Sequence, residues 1–242
     1  MKHSKLKVAI MTDVHGNLPA LKAALKRIHE DKCDYIFHTG DAIGIGPYPN
    51  ECLDLMFNTK GLRMVMGNHD EWFALGLPNP RPEWMSKGEE EHQKWIHSEI
   101  DKLLKKEVAR FPYTIIERYF NYEIAFTHYG LNDTERKFKE VCYNPTPDDV
   151  NNVFCDVKSD LIFYGHSHQS SDIMSKVRYL NPGSLGCCYR PIARFFILEL
   201  YKDGYDIKRF QVKYDETELI KEFENRQVPQ RDFILKSFYG KK

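Results

Sequence analysis

Residues of the types that bind divalent metals follow five apolar segments, and each segment is predicted to be a β-strand. Their side chains are carboxylates, imidazoles and one carboxamide, and five of the ten histidines of the chain belong to these groups. In open α/β sheets, functional sites form outside the carboxyl ends of the strands. We therefore expect five loops to bring these groups to one rim: Asp13-Val14-His15, Gly40-Asp41, Gly67-Asn68-His69-Asp70, His128 and Gly165-His166-Ser167-His168.

The chemistry of these donors indicates a metal centre. Oxygen and nitrogen donors suit manganese, iron, zinc or cobalt, and the motifs lack the thiolates expected of a structural zinc site. Two histidines separated by one residue, such as His166 and His168, can project to the same side of an extended loop. Asp41 stands alone after a glycine, which lets the backbone approach closely, so it is the natural candidate to bridge two ions.

The elements that position these groups alternate between strands and helices in the first half of the chain. Apolar runs predict strands over 7–11, 35–38 and 62–66, with one helix capped by Asn17 and another over Pro49–Phe57. This order favours a parallel or mixed sheet with helices on its faces. The second half is predicted to hold strands over 122–127 and 161–164, a helix from Thr146 to about Cys155, a hairpin of 193–200 with 205–212, a helix around Leu219 and a polar tail.

The segment 75–112 differs from the rest because it opens with a proline-rich turn and then becomes charged and amphipathic. Its apolar residues fall on one helical face, which consists of Ile96, Ile100, Leu103 and Leu104. We favour a surface helix that covers a sheet, and the alternative is a helical lid over the site. Residues 1–242 are expected to form a single domain in either case.

The overall composition argues against several classes of protein. The 242 residues carry 35 basic and 35 acidic side chains, and a hydrophobic content of 42% supports a buried core. Balanced charge gives no reason to expect nucleic-acid binding, and no apolar run approaches the roughly 20 residues of a membrane-spanning helix. The opening residues do not form a secretory signal, and the six cysteines include no CxxC pair. We expect a cytoplasmic protein with reduced thiols.

The order of the five motifs resembles the calcineurin-like metallophosphoesterase superfamily, whose pattern reads D-x-H, G-D, G-N-H-(D/E), H and G-H-x-H. All five motifs occur here in that order, and the resemblance runs from Val8 to about Ser184. The segments 40–51 and 181–184 resemble the compact bacterial phosphodiesterase branch. The resemblance implies an α/β fold, namely a four-layer α/β/β/α sandwich of two mixed sheets flanked by helices.

The resemblance also implies a role for each motif residue. Two divalent ions are expected, with manganese as the first choice and iron, zinc, cobalt or nickel as alternatives. The first ion would take Asp13, His15, Asp41 and His168, and the second would take Asp41, Asn68, His128 and His166. His69 matches the catalytic histidine of the family, and Asp70 is assigned to catalysis with it. Asn17 and Arg190 are candidate substrate contacts.

The activity implied by the resemblance is hydrolysis of a phosphodiester or phosphoanhydride in a small, nucleotide-like molecule, which includes cyclic nucleotides and dinucleoside polyphosphates. A metal-activated hydroxide would attack phosphorus, and His69 would assist the leaving group. The loop 40–46 lacks the second aspartate and the arginine of protein Ser/Thr phosphatases, so we do not expect that activity. A phosphomonoesterase and a protein-binding scaffold of the same fold are the alternatives, and balanced charge disfavours a nuclease. The oligomeric state is left open.

Overall fold

The computed structural model describes residues 5–132 and 137–241 of the chain. Within these ranges, ten β-strands form two five-stranded sheets, and eight α-helices surround them. None of the helices in the described ranges combines the length and the apolar character that crossing a bilayer requires. The expectation about a secretory signal falls on residues 1–4, which lie outside the described part.

The first sheet contains the strands that precede three of the predicted metal motifs. Its members are β1 (Leu6–Met11), β2 (Tyr35–His38), β3 (Leu62–Met64), β9 (Ile192–Tyr201) and β10 (Gly204–Lys213), in the order β10-β9-β1-β2-β3. Strands β1, β2 and β3 are parallel, and β9 joins β1 in antiparallel fashion as half of the predicted hairpin. The three parallel strands therefore end at the same edge of the sheet.

The second sheet contains the strands that precede the other two motifs. Its members are β4 (Thr114–Tyr119), β5 (Tyr122–Thr127), β6 (Leu161–Phe163), β7 (Ser171–Met174) and β8 (Arg178–Asn181), in the order β4-β5-β6-β8-β7. Strands β5, β6 and β8 are parallel, and the two outer strands are antiparallel to their neighbours. The sequence did not predict β4, β7 and β8, because β7 and β8 have only four residues each and β4 contains two charged residues.

The two sheets pack face to face through large apolar side chains. Along β1, Val8 and Ile10 face the second sheet, whereas Ala9 and Met11 belong to the cluster on the outer face. This alternation is the two-residue period of a strand whose two faces are both buried. Phe37 of β2 stacks on Phe126 of β5, with ring centroids 3.7 Å apart and planes 1° from parallel.

Two helices cover the outer face of the first sheet. They are α1 (Leu18–Glu30) and α2 (Pro49–Phe57), and their buried residues share a cluster with Ala9 and Met11. The side chain of Asn17 accepts a hydrogen bond from the Ala20 N–H, which confirms the predicted N-terminal cap of α1.

The segment 75–112 packs against the same layer. It follows α3 (Asn68–Leu75) and contains α4 (Lys87–Ser98) and α5 (Leu104–Val108). Ile96 and Ile100 are buried, as predicted, in the cluster that α1 and α2 also line. The prediction of one continuous helical face is wrong at Leu103, which is 77% exposed because α4 ends at Ser98 and the chain turns before α5.

The outer face of the second sheet is covered by α6 (Pro147–Val153), which begins with the predicted Thr146 cap. Val150 of α6 is buried against Ala125 and Ile162 of the sheet. The layers are therefore helix, sheet, sheet and helix, and the expected α/β/β/α sandwich of two mixed sheets is confirmed.

The C-terminal end is more ordered than the sequence suggested. The helix predicted around Leu219 is α7 (Thr217–Asn225), but the expected polar tail is wrong, because α8 (Arg231–Tyr239) follows it. Ile234 and Tyr239 of α8 are buried in a cluster shared with α7. The signal was present in the spacing of the apolar residues, which occupy one face of a helix at 234, 235, 238 and 239.

We expect Ile234→Ala to lower the free energy of unfolding by about 2–5 kcal/mol, because it deletes buried methyl groups and leaves a cavity. Phe233 provides a matched control, since it is the preceding residue of α8 and is 62% exposed. Phe233→Ala should change the free energy of unfolding by no more than about 0.5 kcal/mol. Urea denaturation of both variants measures the difference, and similar values would contradict the packing of α8.

Candidate metal centre

The structure places the predicted ligands in the loops that follow β1, β2, β3, β5 and β6. Strands of both sheets therefore contribute, and their carboxyl ends meet at a common rim. The buried or half-buried side chains that converge there are Asp13, His15, Asp41, Asn68, His128, His166 and His168. They form two clusters that share Asp41.

The first cluster contains Asp13, His15, His168 and Asp41. The Nε2 atoms of His15 and His168 are 2.8 Å apart, and each lies 3.7 Å from Oδ1 of Asp13. His15 Nε2 is also 3.7 Å from Oδ2 of Asp41. Four donor atoms from two loops of the first sheet and one loop of the second thus face one small space.

The second cluster contains Asn68, His128, His166 and the same atom of Asp41. His128 Nε2 lies 3.1 Å from Oδ1 of Asn68 and 3.2 Å from Nδ1 of His166. Oδ2 of Asp41 is 3.4 Å from His128 Nε2. Because Oδ2 of Asp41 borders both clusters, one oxygen is placed to serve two ions.

The donor geometry fits divalent cations. Donors held at about 2.0–2.2 Å from one ion lie roughly 3–3.6 Å from each other. The donor pairs of the two clusters lie 2.8 to 3.7 Å apart. His15 Nδ1 lies 3.0 Å from the carbonyl oxygen of Ile43, and His128 Nδ1 lies 2.8 Å from that of Thr39. The carbonyl oxygens accept hydrogen bonds from Nδ1–H, so each ring keeps a hydrogen on Nδ1 and faces its cluster with Nε2.

The backbone at the ligands is strained. Five candidate ligands have φ between 48° and 69°, which is the left-handed region that residues other than glycine rarely adopt. They are Asp13, His15, Asp41, His166 and His168. Each such residue costs on the order of 1–3 kcal/mol and persists only where the surrounding structure imposes it. This concentration of strain at five candidate ligands indicates a site that the fold holds in one geometry.

Two glycines allow the loops to approach each other closely. A Cβ atom on Gly67 would lie 2.2 Å from the backbone nitrogen and Oδ1 of Asp41, and one on Gly165 would lie 2.0 Å from Thr12 Oγ1. Real Cβ atoms do not tolerate such contacts, so any side chain at either position would separate two ligand loops.

Burial and close charges shift the pKa values of the ligands. Burial raises the pKa of Asp13 to about 7, and it lowers the pKa of His166 to about 3 and that of His168 to about 4. Burial also acts against ionisation of Asp41, but the imidazole of His128 holds the pKa of that carboxyl well below its usual value. The neutral rings are ready to donate lone pairs, and a bound cation would favour the ionised form of Asp13.

Asp70 is buried and is engaged by the backbone. Its Oδ2 accepts hydrogen bonds from the N–H of Asp41 at 2.8 Å and of Gly67 at 3.1 Å, and its Oδ1 accepts one from Ala42 at 3.1 Å. Burial, reinforced by the charge of Asp41, raises the pKa of Asp70 to about 7. These contacts allow Asp70 to hold the Asp41 loop in position, and the catalytic role expected from the sequence stays a prediction.

His69 lies at the border of the first cluster. Its backbone N–H donates to Oδ1 of Asp41 at 2.9 Å, and its ring packs edge-on against His15 with centroids 5.1 Å apart. Ring nitrogens of His69 and His15 and a carboxylate oxygen of Asp41 lie within 4.8 Å of one another. The half-buried ring is thus beside the candidate ligands, as a group that acts on a bound substrate must be.

The two predicted substrate contacts are placed differently. The Asn17 side chain is buried and already engaged, because its Oδ1 caps α1 and its Nδ2 donates to the Gly186 carbonyl at 2.7 Å and to Tyr214 Oη at 2.9 Å. The assignment of Asn17 as a substrate contact stays a prediction. Arg190 is exposed in the loop before β9.

Two residues near the site, His92 and Cys187, were assigned no role from the sequence. Nε2 of His92, a residue of α4, lies 2.7 Å from the carbonyl oxygen of Gly44. Its Nδ1 lies 3.0 Å from the carbonyl oxygen of Pro229. Gly44 packs against the His69 ring, so His92 connects α4 to the loop behind that histidine. The thiol of Cys187 lies within 4.8 Å of His15 and His168, and burial raises its pKa. His92 precedes Ile96 by four residues, which was the available signal for its inward face.

The fold and the donor set together define a phosphoesterase that works with divalent metal ions. The calcineurin-like phosphoesterase family matches the chain over residues 6–170, a range that includes every candidate ligand. The chain belongs to this family and is a hydrolase of phosphate esters.

Two individual proteins are similar in sequence to this chain. An uncharacterised protein of Methanocaldococcus jannaschii is 29% identical over 232 residues, which are 85% of this chain and 90% of that protein. A symmetrical bis(5'-nucleosyl)-tetraphosphatase of Hamiltonella defensa is 43% identical over 63 residues, 25% of this chain and 23% of that one.

Solved structures share the fold over nearly the whole chain. The structure of a hypothetical protein from Pyrococcus horikoshii has a TM-score of 0.81 at 21% identity and covers 98% of this chain and 99% of its own. A metallophosphoesterase from Sphaerobacter thermophilus has a TM-score of 0.69 at 20% identity and covers 95% and 96%.

We expect Asp70→Asn to weaken metal binding about 10- to 100-fold. The amide NH₂ of asparagine would face backbone N–H groups that now donate to a carboxylate oxygen, and two donors cannot form a hydrogen bond. Calorimetric titration with Mn²⁺ measures the change. Asp54→Asn is the matched control, since Asp54 is an exposed aspartate of α2. Unchanged metal affinity combined with lost turnover would contradict the positioning role of Asp70 and would support its predicted catalytic role.

Proposed function

We propose that this protein is a dinuclear metal phosphoesterase that hydrolyses a phosphodiester or phosphoanhydride bond in a small, nucleotide-like molecule. The observation that carries the proposal is the pair of donor clusters joined by Oδ2 of Asp41. Manganese is the proposed metal, and iron, zinc, cobalt or nickel would suit the same oxygen and imidazole nitrogen donors. The partial match to a tetraphosphatase of nucleotides supports the substrate class.

The protein residues set the charge of the proposed site. Two divalent cations, when bound, supply the electrostatic stabilisation of phosphate oxygens and the acidification of water on which two-metal hydrolysis depends. Asp13 and Asp41 are the two charged members of the donor set, and the other donors are neutral. The loaded site therefore keeps a net positive charge, which attracts a phosphate ester and repels other cations.

We assign His69 to the leaving group. Its ring borders the first cluster. It is not among the ligands that the resemblance implies, so we propose that it gives a proton or a hydrogen bond to a departing oxygen. The hydrogen bond from the backbone N–H of His69 to Oδ1 of Asp41 fixes the distance of His69 from the shared carboxylate. General acid assistance of this kind contributes about 10²- to 10⁴-fold.

We propose that the segment 75–112 is a fixed wall of the same single domain. Its helix α4 buries Ile96 in the main cluster, and His92 bridges the loop of Gly44 and the turn of Pro229. Opening this segment as a lid would break both polar contacts and expose the apolar face of α4.

The proposed reaction is tested with the manganese-loaded protein and three probes, which are bis(p-nitrophenyl) phosphate, p-nitrophenyl phosphate and diadenosine tetraphosphate. We expect turnover of the diester or the anhydride to exceed that of the monoester. Preference for the monoester would replace the proposed activity with a phosphomonoesterase. Two bound metal ions without turnover of any probe would favour the scaffold function.

We expect His69→Ala to retain both metal ions and to lose about 10²- to 10⁴-fold in kcat on diesters with alkoxide leaving groups, such as cyclic nucleotides. The loss should be much smaller for p-nitrophenolate, which departs without a proton. His29→Ala is the control, because His29 is an exposed histidine at the far end of α1. Elemental analysis and kinetics report the two effects, and equal losses on both leaving groups would contradict the role of His69.

A further inference from the structure

A row of aromatic rings leads outward from the candidate metal centre. Trp72 packs edge-on against His69, with ring centroids 4.8 Å apart and planes at 62°. Trp84 then stacks on Trp72, with centroids 5.9 Å apart and planes 27° from parallel. The row therefore connects the histidine beside the ligands to a tryptophan two rings away.

The position of Trp84 follows from the elements on either side of it. Trp72 lies one helical turn after His69 on α3, so the two rings project from neighbouring positions of one helix. Trp84 belongs to the connection from α3 to α4, and the next residue, Met85, is fully buried. Arg81 donates to the Met85 carbonyl and pairs with Glu90 of α4. These contacts anchor the connection beside the indole.

Trp84 nevertheless remains 64% exposed. Large aromatic side chains contribute most when both faces are covered, so an anchored, half-covered indole at the border of a site offers a face to a ligand. Planar aromatic ligands stack on such a face, and the nucleobases do so with little dependence on their identity. The ring row can therefore stack on a nucleobase while the phosphate attached to that base lies at the metal ligands.

We propose that Trp84, supported by Trp72, is the nucleobase-stacking platform of the active site. This inference rests on the proposed phosphoesterase function and names its substrate class as nucleotides. Stacking on Trp84 contributes to the affinity for the nucleoside part, whereas the metal ligands and His69 act on the phosphate. Different bases are accepted, because one indole face provides no pattern of hydrogen bonds that would distinguish them.

The test is calorimetry on the manganese-loaded protein with two probes, adenosine 5'-monophosphate and methyl phosphate. Both present a phosphate monoester, and only the first carries a base. We expect the wild type to bind the nucleotide more tightly. Trp84→Ala should weaken nucleotide binding about 5- to 150-fold and leave methyl phosphate binding unchanged within twofold. Trp84→Phe should restore most of the nucleotide affinity, because a ring face is retained.

Tyr35→Ala is the matched control. Tyr35 is also a part-exposed aromatic residue stacked on a second ring, Tyr119, but it begins β2 at the end of the strand opposite to Asp41. Its removal should change the affinity for neither probe. An equal effect of Tyr35→Ala and Trp84→Ala would overturn the platform.

The remaining outcomes separate this inference from the proposed function. Equal wild-type affinity for the two probes, or a loss in Trp84→Ala that is the same for both, would overturn the platform while diester turnover still supports the phosphoesterase. Base-dependent binding that Trp84→Ala removes, without turnover of any diester or anhydride, would support the platform and contradict the proposed reaction. Failure of the wild type to bind either phosphate would overturn both.

Discussion

The arrangement depends on one carboxylate that has to face two groups of donors at once. Oδ2 of Asp41 lies 3.4 Å from His128 Nε2 and 3.7 Å from His15 Nε2, while Oδ1 accepts the His69 N–H. A buried carboxylate is unfavourable unless cations or protons balance its charge. The fold nevertheless holds Asp41 there with a strained φ of 61° and a backbone N–H bound to Asp70. The strain and the hydrogen bond both serve to keep the carboxylate between the clusters.

The sandwich architecture explains how the clusters acquire a fixed separation. Three ligand loops extend from the first sheet and two from the second, so the distance between the clusters is set by how the sheets pack. Phe37 lies directly before His38 at the end of β2, and its stacking partner Phe126 lies two residues before His128. The core contact that joins the sheets is therefore next to the ligand loops. Dense packing leaves little room for one sheet to move relative to the other.

Much of the site could be predicted from the sequence because its ligand types and their places after apolar runs are local features. The strands before Asp41 and His128 and the helix after Tyr48 have the predicted bounds. Other features depend on contacts between distant residues. The N–H donors that engage Asp70 come from loops 28 to 29 residues away as well as from Gly67, and Asn17 is engaged by Gly186 and Tyr214. Short strands such as β7 and β8 have too few residues to show a period, and α8 gains its stability from packing on α7.

Anomalous diffraction would show whether the chain holds two cations on either side of Asp41. Data collected at the manganese absorption edge, from crystals grown with Mn²⁺, would locate each bound ion independently of any assay. We expect two anomalous peaks about 3.5–4 Å apart, with Asp41 contacting both. One peak alone, or two peaks that Asp41 does not join, would contradict this expectation.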